Sequence, residues 1–121
     1  MEYLLLIYHT EKDYAKLSEA EKVPIYAEYR GLIEQLSAKG NYRGGHQLTL
    51  TSSATTVRVQ DGKRVLTDGP FAETKEQLGG YFLVDAKDLD EAIAIAAKIP
   101  GARYGSIEVR AVVVQRQGAQ A

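Results

Sequence analysis

No cysteine occurs among the 121 residues, so disulfides, thiolate metal sites and a cysteine nucleophile are excluded and stability rests on packing. Nor is one sign of charge in excess. Fifteen Lys and Arg stand against 16 Asp and Glu with a pI of about 6.1, and nothing in that balance points to a nucleic-acid partner. A long apolar run is missing too. The strongest, Tyr3 to Tyr8, has no basic segment ahead of it and stops at His9, too short for a signal peptide or a membrane span. The expectation is a cytoplasmic protein without a membrane partner. Gly44-Gly45 and Gly79-Gly80 fall in neither a GxGxxG nor a GxxxxGK[ST] frame, so no nucleotide cofactor is implied. His9 or His46 with Glu11 or Asp13 has no spacing of a ligand motif, and no metal is expected.

What is present suffices for one core: 45% of the residues are apolar. Tyr3 to Tyr8 does not alternate with polar residues and reads as a strand buried on both faces. Ser18-Glu19-Ala20-Glu21 matches a capping box, and Ile25, Tyr29, Leu32, Ile33 and Leu36 form a helical stripe that stops at Gly40. Pro24 predicts a separate or kinked first turn. Gly44 to Leu50 reads as a short strand. Thr55–Gln60 and Lys63–Thr67 read as a hairpin about the Asp61-Gly62 turn. The loop from Asp68 to Leu78 is long for a compact domain. Gly80–Val84 is a second doubly apolar strand, Asp88 with Glu91 caps a helix closed by Pro100-Gly101, and Ser106 to Val114 is the last strand. The domain thus spans residues 1–114, with a polar tail over 115–121. The order β-α-β-(hairpin)-β-α-β predicts an α+β, ferredoxin-like split βαβ fold with an inserted hairpin.

In that fold both helices cover one sheet face. Two doubly apolar strands then leave an apolar patch on the other, and a symmetric homodimer covers it with least addition.

The run Asp68-Gly69-Pro70-Phe71-Ala72-Glu73-Thr74-Lys75-Glu76, continued through Leu78-Gly79-Gly80-Tyr81-Phe82, resembles the YCII-related family in its branch named for the Asp-Gly-Pro-Phe motif. The likeness extends to Tyr3–Tyr8, Thr56–Val59 with Asp61-Gly62, and Gly105 to Arg110. The resemblance implies a dimeric α+β barrel. Relatives of that wider architecture include lactone isomerases, dehydrochlorinases and cofactor-free monooxygenases acting in the cleft between sheet and helices. Family members beside or fused to alternative sigma factors imply instead a ligand-sensing or regulatory module.

For chemistry, His46 beside its glycines is the candidate general base and Asp68 its orienter. Asp68 at the head of an Asp-Gly-Pro turn more commonly accepts backbone amides, a role it can combine with the first. Glu73 and Lys75 are candidates to move a proton and to hold an anionic substrate, or form a solvated, mutually paired loop with Glu76. Tyr8 and Tyr81, with Phe82, are candidates to line a pocket for a small organic ligand, or belong to core or interface.

Overall fold

Alternation along two strands decides how the sheet is covered. In the computed structural model, which describes residues 1–115, β1 (Glu2–His9) buries Tyr3, Leu5 and Ile7 while Leu4, Leu6 and Tyr8 are only half-buried. Strand β5 (Gln77–Asp85) repeats this, with Gly80, Phe82 and Val84 buried and Tyr81 and Leu83 half-buried. Strand β2 (Tyr42–Gln47) and strand β6 (Ser106–Ala111) flank them in the order β2-β5-β1-β6, with every neighbouring pair antiparallel. This is the ferredoxin-like arrangement expected from the element order. Of the tail expected over 115–121, only Gln115 falls within the described residues.

The helices α2 (Glu19–Ala38) and α3 (Leu89–Lys98) pack on one face, where Leu32, Leu36, Ala92, Ile95 and Ala96 join Tyr3, Leu5, Phe82 and Val84 in a single core. Leu5, Val84 and Ile99 are fully buried, and each such side chain contributes about 1.5–3 kcal/mol by leaving water. At the start of α2 the capping box is complete: Ser18 Oγ accepts from the Glu21 amide at 3.1 Å and Glu21 Oε1 accepts from the Ser18 amide at 2.9 Å. At α3 only half of the expected box forms. Asp88 accepts from the Glu91 amide, but Glu91 turns to the Lys87 amide and to Asn41.

Several boundaries differ from the sequence expectation. Pro24 lies inside a continuous α2 and does not separate its first turn. Proline has no N–H for the carbonyl of Ala20, four residues earlier, and Ala20 is an exposed residue, so the lost bond costs less than it would in a core. The stretch after β1 holds a five-residue helix, α1 (Glu11–Ala15), and a short α4 (Gly101–Tyr104) follows Pro100. Strand β2 ends at Gln47, three residues early, before a 3-10 turn at Thr51–Ser53, and β6 ends at Ala111, leaving Val113 and Val114 exposed.

The inserted hairpin, β3 (Thr55–Gln60) with β4 (Lys63–Asp68), forms its own two-stranded sheet. Its turn has positive φ at both central residues, 51° at Asp61 and 76° at Gly62, as a tight two-residue turn requires. No helix among the described residues is long and apolar enough to cross a membrane.

Candidate functional site

The N-terminal half of α2 diverges from the sheet. Its stripe splits accordingly: Leu32 and Leu36 are buried in the core, whereas Ile25 and Tyr29 are half-buried and line a cleft of about 780 Å³. The sheet supplies the floor through Ile7, Tyr42, Gly45, Gln47, Gly80 and Phe82, and α1 closes one end with Asp13 and Tyr14. Tyr29 and Tyr42 meet Phe82 edge-on at 6.1 and 5.4 Å between ring centroids, which gives the floor an aromatic surface of fixed geometry. Helix α1 is held in place at both sides. Glu11 accepts from the Thr51 amide at 2.9 Å and its hydroxyl at 2.6 Å, and the Tyr14 and Tyr26 hydroxyls are hydrogen-bonded to each other.

His9, the last residue of β1, points into this cleft. The ladder shifts register between Ile7 and Tyr8, so that Ile7 faces Gly80 and Tyr8 faces Leu78, leaving Gly79 as a bulge. The imidazole occupies the space a side chain at Gly79 would need: a Cβ there would lie 2.2 Å from His9 Cε1. It also stands 5.2 Å from the Tyr14 ring. Its Nε2 is buried with no hydrogen-bond partner among the described residues.

Electrostatically the cleft is acidic and phenolic. Asp13, Glu21 and Glu28 line it, together with five of the eight tyrosines, Tyr14, Tyr26, Tyr29, Tyr42 and Tyr104. Arg103 donates two hydrogen bonds to the Glu28 carboxylate, at 2.8 and 2.7 Å, and holds it below the usual carboxylate range. The amide of Ser18 does the same for Glu21. Burial raises the Tyr29 and Tyr42 phenols. Burial, reinforced by the Tyr26 hydroxyl, pushes Tyr14 up from 10.0 to about 12. An acid raised on folding favours the native state only while both forms are protonated. Stability is therefore expected to be full below pH 10 and to fall as pH rises from 10 to about 12. Alkaline melting curves of the wild type and of Tyr14→Phe check this; identical slopes in that window would show that Tyr14 does not contribute.

The residues chosen from sequence are distributed differently. His46 Nδ1 is 2.8 Å from the Tyr81 hydroxyl, and the Tyr8 hydroxyl donates to Glu108 at 3.3 Å. Tyr81 and Tyr8 alternate with Phe82 and Ile7, so these pairs lie on the face away from the helices, although His46 also touches the cleft margin. Asp68 ends β4, exposed, and no side-chain hydrogen bond joins it to His46 or to its own turn; the turn is closed instead by Gly69 N–H to Ala54 O and by Thr56 Oγ1 to Gly69 O. Glu73 and Lys75 are exposed in the following loop and make no ion pair among the described residues, while Glu76 accepts from Ser106. Among the described residues no group of three or more His, Asp or Glu side chains is gathered as a metal site needs. His9, Tyr14, Tyr26 and Tyr42 had no part in the sequence-level pocket. The available signal was the ratio of eight Tyr to two Phe and no Trp, since a hydroxyl on a half-buried ring serves where one side is wet.

Residues 1–116 match the family described as the YCII-related domain. An uncharacterized protein of Rhizobium meliloti (strain 1021) is 33% identical over 120 residues, which cover 98% of this chain and 97% of the other. The full-length match and the split βαβ sheet agree: the chain belongs to the YCII-related family.

Proposed function

We propose that the chain binds a small, largely apolar organic molecule between the helices and the sheet, and that His9 exchanges a proton with it without a cofactor. One observation carries this reading: a cleft of about 780 Å³, floored by aromatic rings, contains an imidazole whose Nε2 is buried and unpartnered among the described residues. The volume is in the range of small-molecule sites. Burying such a nitrogen without a partner costs on the order of 1–3 kcal/mol, and a ligand group that reaches it through a small rotation of the ring removes that penalty. Imidazole is also the side chain best matched to proton transfer near neutral pH. This reading moves the proton transfer from the expected His46 and Asp68 to His9. A fragment screen followed by NMR tests it. Hits are expected to shift the resonances of His9, Tyr29 and Tyr42, and His9→Ala is expected to weaken them at least about tenfold with the fold intact. Hits that shift only the His46 and Tyr81 signals would sink the proposal.

We also infer that a second copy covers the opposite sheet face. Leu4, Leu6 and Leu83 form an apolar stripe there, and the separate hairpin exposes Val59 at 69% and Leu66 at 59%. A two-stranded ribbon alone is marginally stable, and a partner surface supports both features at once.

A further inference from the structure

Among the described residues, the lining of the cleft contains no lysine and no arginine. The nearby cations are engaged: Arg103 holds Glu28, Lys16 lies 3.7 Å from Asp13, and Lys22 is 3.4 Å from Glu19 and 4.7 Å from the centre of the Tyr14 ring. Glu21, which caps α2, makes no ion pair among the described residues, so the lining keeps an uncompensated negative charge. We propose that the cleft selects an organic cation, a small amine with an aromatic or branched apolar group, over carboxylates and phosphates of the same size. This deepens the small-molecule reading above and rests on it.

The physical reason is twofold. The faces of tyrosine rings attract a cation held within about 6 Å, and the carboxylates at the mouth add a Coulombic attraction of the same sign. An anion entering the same space loses its hydration, finds each nearby guanidinium or ammonium already engaged by a carboxylate, and meets the unpaired carboxylate of Glu21. The apolar part of either ligand finds the same floor of Phe82, Tyr29 and Tyr42, so charge alone separates them.

Phenethylammonium, phenethyl alcohol and phenylpropionate share a ring and a similar length and differ in charge. Titrations read at the His9 ring resonances, assigned with the help of His46→Gln, compare them on one site. Phenethylammonium is expected to bind at least about tenfold more tightly than phenylpropionate, with the alcohol between them. Asp13→Asn combined with Glu21→Gln, which keeps a capping acceptor, is expected to close that gap and leave the alcohol unchanged. Phenylpropionate binding as well as the amine, or all three binding alike, would overturn the charge selection while leaving the cleft as a ligand site. No shift of His9 with any of the three would overturn both.

Discussion

Leu5→Asp is expected to leave the chain unfolded, whereas Leu6→Asp is expected to fold and fail to assemble. The two positions are adjacent on β1 and face opposite sides of the sheet. Leu5 is fully buried, paired across the ladders with Phe82 and Val109, in a core that contains no buried polar or charged residue among the described residues. A carboxylate there has no partner, and its cost of several kcal/mol is comparable to the whole stability of a small domain, about 5–15 kcal/mol. Leu6 lies between Tyr81 and Glu108 on the half-buried face. Asp at that site meets a like charge at Glu108, worth about 1 kcal/mol or less on an open surface, so the fold survives. Face-to-face packing with a second copy does not, because the carboxylate would be buried in the contact. Circular dichroism reports the first effect and sedimentation equilibrium the second. A wild-type chain that sediments as a 13.3 kDa monomer at micromolar concentration would end the inference of a second copy. An assembled Leu6→Asp would place the contact elsewhere.

Two glycine-to-alanine changes are expected to separate stability from binding. At Gly105 a Cβ would stand 2.0 Å from the Tyr8 carbonyl oxygen and 3.0 Å from His9 Cα, both backbone atoms of the central strand. Backbone cannot step aside without breaking the β1–β6 ladder, and Gly105→Ala is expected to destabilise by about 3 kcal/mol or more. At Gly79 the atom in the way is His9 Cε1, the end of a side chain. The imidazole swings away from the bulge, and Gly79→Ala is expected to cost only about 1 kcal/mol while weakening phenethyl alcohol at least about tenfold. Urea denaturation and ligand titration of the two variants give the comparison. Unchanged affinity in Gly79→Ala would show that the position of the His9 ring is irrelevant to the site.

Local chemistry accounts for the parts of the fold that were legible beforehand. The capping box at Ser18, the positive-φ turn at Asp61-Gly62, the apolar run of β1 and the period of α2 each depend on residues within one or two turns of chain. Those signals determine element type and, through element order, the topology. The continuity of α2 past Pro24 goes with something else, the exposed position of Ala20 one turn earlier, which is a property of the assembled layer. The ends of β2 at Gln47 and of β6 at Ala111 are likewise where their ladders with β5 and β1 end, a property of the pairing that composition along the strand does not mark.

The candidate site illustrates the same division more sharply. From sequence, His46 beside two glycines and Asp68 in a turn carry stronger local marks than His9 at the end of an apolar run. Tertiary structure decided otherwise about surroundings: a one-residue bulge at Gly79, seventy positions along the chain from His9, leaves room for the His9 ring, and the cleft between α2 and the sheet opens beside it. Sequence alone determined the family, the split βαβ order and an apolar stripe on both faces of β1, because periodicity and short motifs record local backbone preference. Which face encloses a cleft, and which tyrosines surround it, was decided only by long-range packing, since burial of a side chain is a property of its neighbours in space.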